Sequence, residues 1–94
     1  MGITEVTVEI TNPREPNQWQ TVSLVADTGA IFSVIPKTTL EQLGIQSYAE
    51  ETFFLADGSE IHRPLGDVFL RIDGKSRTVP TIFGAPSDTP LLGV

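Results

Sequence analysis

Short stretches of alternating apolar and polar residues, each cut off by Gly, Pro, Asn or Asp, constrain this chain more than any other feature. From Val6 to Thr11, Val6, Val8 and Ile10 fall on one face, and Thr7, Glu9 and Thr11 on the other. Period two with β-branched residues marks a half-buried strand. Asn12-Pro13 and Pro16-Asn17 interrupt the pattern and signal a turn or short loop. Trp19 to Ala26 reads as a second strand with Val22, Leu24 and Ala26 on one face, so the two segments predict a hairpin. Ile31 to Ile35 is apolar apart from Ser33 and suits a short buried strand that Pro36 stops. A brief helix is expected next, with Pro36 in its first turn, Leu40 and Leu43 on one face and Gly44 as its C-terminal stop.

The second half repeats the β character. Thr52 to Ala56 and Glu60 to His62 flank Asp57-Gly58, a strong short-range hairpin signal. Val68 to Asp73 and Arg77 to Phe83 flank a further turn at Asp73-Gly74-Lys75. Pro80 makes the last of these strands irregular or an edge. Six or seven short strands and one brief helix predict an all-β fold, a small closed or partly closed barrel. The 94 residues suffice for one domain. A domain of this size buries only about two-thirds of its unfolded surface, which leaves a partner subunit a part in completing the core.

Composition removes several chemistries. With no Cys there is no disulfide framework, thiol nucleophile or Cys-based zinc site, and a single His supplies no multi-histidine metal centre. Six basic against twelve acidic residues give a net charge of −6, which disfavours nucleic acid as a partner. Glu41, Glu50, Glu51 and Glu60 are scattered and read as solvated surface, so no metal site is expected. No apolar run approaches the about 20 residues of a membrane helix, so no membrane partner is expected. Met1 to Glu5 carries neither the basic nor the apolar region of a signal peptide, and a cytoplasmic protein is the expectation.

The chemistry-bearing stretch is Val22-Ser23-Leu24-Val25-Ala26-Asp27-Thr28-Gly29-Ala30. A strand of small and aliphatic residues delivers a carboxylate, and Thr28-Gly29 then turns the chain. A carboxylate at the end of an apolar strand is costly to bury without partners, so Asp27 requires a reason. Asp and Gly also end strands for purely structural reasons. Late in the chain, Pro90-Leu91-Leu92-Gly93 adds a second feature, two aliphatics and a glycine following a loop.

On these residues the chain resembles the single-domain, retropepsin-like aspartic proteases. Their active-site motif is matched by Asp27, Thr28, Gly29 and Ala30, and their late aliphatic-aliphatic-Gly signature by Leu91, Leu92 and Gly93. The resemblance implies a closed acid-protease barrel in which the late segment crosses behind the active-site loop. It also implies that Phe53 to His62, tipped by Asp57-Gly58-Ser59, is a flap over the substrate. The implied activity is peptide-bond hydrolysis by a homodimer, with Asp27 from each subunit as the catalytic residue and no cofactor. Thr28 and Gly29 would support the site, and Gly29, Ala30, Ala56, Asp57, Gly58 and Ser59 would bind an extended peptide. Phe32, Phe53, Phe54, Ile82 and Phe83 are candidates for subsites but read first as core. His62 and Trp19 read as solvated or packing residues.

Two positions depart from the retroviral members, which commonly carry an acidic residue after the motif's Ala and a basic one after the late Gly. Here these are Ile31 and Val94, which implies a cellular subtype. The whole chain, 1–94, is read as one domain of this kind that lacks the family's C-terminal helix and strand. That departure keeps open a second reading, a catalytically weak retropepsin-like module for dimerisation or peptide binding.

Overall fold

A computed structural model describes residues 3–93, so the expectation attached to Val94 lies outside the described residues. Seven strands and one helix follow in the order β1 (Glu5–Asn12), β2 (Glu15–Asp27), β3 (Ser33–Pro36), α1 (Lys37–Gln42), β4 (Ala49–Phe54), β5 (Glu60–Ile72), β6 (Lys75–Gly84) and β7 (Leu91–Gly93). Hydrogen bonding runs β1-β2-β7-β3-β6-β5-β4, and β1 also pairs with β5. Six strands therefore close into a ring, and β4 extends from it as the outer arm of a hairpin with β5. The expected closed barrel is observed.

The alternating faces point where the sequence places them except at Thr11, which is fully buried and donates its hydroxyl to Gln18 O. Val8 and Ile10 of β1, Leu24 of β2, and Val68 and Leu70 of β5 are buried together, with Val6, Val22 and Ile72 packed at the margin. Leu40 of α1, with Leu43 and Ile45 just past its end, plugs the same core. Gly44 adopts φ +72° just past the helix, where Gly44 N–H bonds to Glu41 O and Ile45 N–H to Leu40 O. This is a Schellman ending, and it carries Ile45 back onto Leu40. The Asn12 amide donates to Leu43 O at 3.2 Å, tying the first hairpin to the end of the helix.

Several boundaries differ from expectation. The first turn is Pro13-Arg14 alone, and Pro16-Asn17 lies within β2, where the register with β1 shifts between the pairs Thr11–Trp19 and Asn12–Glu15 and leaves neither residue a partner opposite. Ile31 lies outside β3, and Pro36 ends β3 and caps α1, one residue ahead of its first turn. The segments around His62 and Val68 form one continuous strand, β5. Its first half pairs with β4 and its second with β6, the exchange falling at Leu65. Pro64 and Gly66 sit at that exchange. Pro80 pairs with Asp67 one residue before the β3 ladder begins at Thr81, so the edge character expected of it is local. The turn expected at Asp73-Gly74-Lys75 is the two residues Asp73 and Gly74, at φ +50° and +77°, with Lys75 already opening β6. The Asp57-Gly58 hairpin has a wider loop, residues 55–59, with only Gly58 at positive φ.

Ile35 is fully buried in β3, between β6 and β7. Ile35→Ala should cost about 2–5 kcal/mol, the range for deleting a buried aliphatic side chain. Urea unfolding followed by circular dichroism is expected to show a lower midpoint with an unchanged slope.

Candidate active site

β2 ends on Asp27, and the chain turns at once. The Asp27 side chain is half-buried, and its Oδ1 accepts the Gly29 N–H at 2.9 Å. The Ala30 N–H bonds to Asp27 O at 3.2 Å, which closes the turn. Thr28 and Gly29 are exposed, and Ala30 is partly covered. The carboxylate is thus held in one orientation by its own loop while the tip of that loop faces outward.

β7 passes directly behind this turn. It pairs in parallel with β2, setting Gly93 beside Asp27, and antiparallel with β3 through Leu91 and Val34. A Cβ on Gly93 would stand 2.8 Å from both the carbonyl carbon and oxygen of Phe32, and 3.0 Å from Ala30 O. Backbone occupies all of that space, so only glycine fits. The Gly93 N–H donates to the buried Ser33 hydroxyl at 3.0 Å, and the Val25 N–H donates to Pro90 O at 3.1 Å. The Leu91-Leu92-Gly93 signature is therefore a brace for the Asp27 turn. Ser33, which the sequence presents only as a polar interruption in an apolar strand, proves to be part of that brace.

Ala56, Asp57, Gly58 and Ser59 occupy the tip of the β4–β5 arm. Asp57 Oδ1 accepts the Ser59 hydroxyl at 2.6 Å and the Ser59 N–H at 2.9 Å. These bonds, the hydroxyl's first, hold the Asp57 carboxyl below its ordinary range. Leu55 N–H to Ser59 O and Gly58 N–H to Leu55 O complete the loop. Among the described residues no hydrogen bond joins this tip to the Asp27 turn, so the predicted site residues form two separate groups within one chain.

The aromatic candidates divide. Ile82 and Phe83 are buried, as expected of core, and Phe32 and Phe53 are half-buried. Phe54 corrects the expectation, since it is 73% exposed on the arm. His62 is also on the arm, with Nδ1 3.0 Å from the Thr52 hydroxyl and Glu50 and Glu60 within 3.7 Å and 3.6 Å of its ring nitrogens. Trp19 packs on Phe69 and beneath the Arg71 guanidinium, 4.0 Å from the ring centroid, and Arg71 also pairs with Glu9. A polar groove of about 500 Å³, lined by Asn12, Arg14, Tyr48 and Asp67 among others, includes no residue of the Asp27 turn. Among the described residues no group of three or more His, Cys, Asp or Glu side chains is gathered for a metal.

One ion pair was not legible in the sequence. Arg63 on β5 meets Asp88 in the 85–90 loop, Nε to Oδ2 at 2.7 Å and Nη2 to Oδ1 at 3.3 Å. The Arg63 hydrogen bonds, aided by the Ala85 N–H, hold the Asp88 carboxyl below the ordinary carboxylate range. A depressed carboxyl stabilises the fold above its unfolded value of about 3.9, and that contribution fades as pH falls through the lower folded value. Asp88→Asn should therefore lower stability at neutral pH and flatten the loss of stability below pH 4, read from unfolding midpoints across an acid series. Gly93→Ala should destabilise by about 1–3 kcal/mol or more, because backbone must yield to the new methyl. Denaturant unfolding would measure that loss.

No protein-family model matches this sequence, and no curated protein matches it. Solved structures do. The EIAV protease complexed with the inhibitor HBY-793 is similar with a TM-score of 0.71 at 17% identity, over 98% of this chain and 82% of that one. The solution structure of the simian foamy virus (mac) protease is similar with a TM-score of 0.64, also at 17% identity, over 96% of this chain and 87% of that one. With the closed ring, the braced Asp-Thr-Gly turn and the projecting hairpin already described, these likenesses establish the retropepsin-like fold for this chain.

Proposed function

We propose that this chain is an aspartic endopeptidase of the cellular retropepsin-like type, active as a homodimer. The observation that carries the reading is the Asp27-Thr28-Gly29 turn. Its carboxylate is oriented by Gly29 N–H and backed by β7, within a fold shared with retroviral proteases. One chain contributes a single such carboxylate, and the aspartic-protease mechanism uses two. A two-fold dimer supplies the second from the partner's copy of the turn. The outward-facing tip at Thr28 and Gly29, and Ile31 beside it at 83% exposure, offer surface for that contact. Ile31, standing where the retroviral members commonly place an acid, supports the cellular assignment.

Two carboxylates in contact hold one proton between them, as in aspartic proteases generally, because ionising both is unfavourable. The ionised member takes a proton from a water molecule as its oxygen attacks the scissile carbonyl. The protonated member donates to the carbonyl oxygen, giving a neutral tetrahedral gem-diol. Collapse re-forms the carbonyl, breaks the C–N bond and passes a proton to the departing amine. In this reading Thr28 hydrogen-bonds across the dimer axis. Gly29, Ala30 and the arm tip from Ala56 to Ser59 align the peptide as an added strand.

Asp27→Asn should lower kcat for an extended peptide by at least about 100-fold, with folding unchanged by circular dichroism. Parent activity should rise with protein concentration as dimer forms, and should fall at both acid and alkaline ends of the pH profile. Undiminished cleavage by Asp27→Asn would refute the assignment. Peptide binding by the parent without cleavage would favour the binding-module reading.

A further inference from the structure

The β4–β5 arm is joined to the barrel by very little besides its own chain. Within residues 49–64 the backbone bonds run between β4 and β5 or close the tip loop. The side-chain bonds Thr52 to His62 and Ser59 to Asp57 also stay inside the arm. Among the described residues, Arg63 to Asp88 is the one side-chain bond that ties this arm to another part of the molecule.

Its geometry suits a latch. Arg63 stands near the barrel end of the arm, opposite Glu51 on β4, and its Nη1 donates to His62 O at 2.9 Å, which fixes the guanidinium plane. Asp88 is fixed as firmly. Its Oδ2 accepts the Ala85 N–H at 2.7 Å while its own N–H donates to Ala85 O at 2.9 Å, so the carboxylate staples a tight turn. Both side chains are about three-quarters covered, at 21% and 24% exposure, and a two-point guanidinium–carboxylate pair sheltered in this way is stronger than a solvated one. The loop that carries Asp88 runs straight into Pro90, which bonds to β2, and into β7, which backs Asp27. A continuous path therefore leads from the arm through Arg63 and Asp88 to the wall of the Asp27 turn.

We propose that the Arg63–Asp88 pair is a positioning latch, setting the arm relative to the Asp27 turn and restraining its opening. Its role in turnover rests on the endopeptidase reading; its role in holding the arm does not. Arg63→Gln and Asp88→Asn each remove the pair, and Asp88→Asn retains an acceptor for the Ala85 N–H. Arg63→Lys keeps the charge and loses the fork. Backbone amide exchange by NMR reads the latch without any substrate. Loss of a charge-assisted bond should speed exchange of arm amides from Phe53 to Ile61 by about ten- to hundredfold, with amides of β1 unchanged. The double variant should be no faster than either single one, and Arg63→Lys should fall between. With peptide substrate, KM should rise more than kcat falls. Arm exchange unchanged in both single variants, or β1 and arm accelerated equally, would overturn the latch. Faster arm exchange in the variants, beside a parent that cleaves no peptide, would uphold the latch and refute the endopeptidase reading.

Discussion

The structure depends on a three-residue strand with no room to spare. Among the described residues β7 is the only strand that hydrogen-bonds to both β2 and β3, so the ring of strands closes through Leu91, Leu92 and Gly93. The same residues press against the back of the Asp27 turn, where the Phe32 and Ala30 backbone leaves no space for a Cβ. Closure of the barrel and orientation of the carboxylate are thus one event. A loop held only by its own Asp27 to Gly29 bond would be free to turn. Backed by β7 and by the Gly93 to Ser33 bond, it has a fixed frame.

That frame divides the molecule into parts of different rigidity. The barrel buries Ile10, Leu24, Ile35, Leu40 and Val68 almost completely. The arm is chiefly exposed, with Phe54 and Leu55 facing outward near its tip. Under the proposed endopeptidase reading, low local stability suits an arm that admits and then covers a peptide. Arg63 and Asp88 join the two parts, so arm position and turn geometry share a mechanical connection.

Much of this was legible in the sequence, for identifiable reasons. β1, Thr11 apart, and the end of β2 alternate because one face is core and the other solvent, and Asp73-Gly74 names its own turn. Asp27-Thr28-Gly29 and Leu91-Leu92-Gly93 were visible as motifs, but only the structure gives the steric reason for the second glycine. The start of β2 was obscured because Pro16 and Asn17 ordinarily break strands, and here they sit at a shift in the β1–β2 register where neither needs a ladder partner. β5 is hard to see as one strand in the sequence because Pro64 and Gly66 ordinarily break strands. Here they mark the place where one strand changes partners, and Gly66 is needed because a Cβ would stand 2.9 Å from the Phe83 ring. The Arg63–Asp88 pair had no local signal, since its members lie 25 residues apart and meet only through the tertiary fold.

The central claim is that two copies of one braced turn make a single reaction centre. Calorimetric titration with a peptide mimic bearing a central hydroxyl tests it most directly, because that hydroxyl replaces the water held between paired carboxylates. The account predicts one mimic bound per two chains, with binding lost in Asp27→Asn. Saturation at one mimic per chain, or binding indifferent to Asp27→Asn, would contradict it.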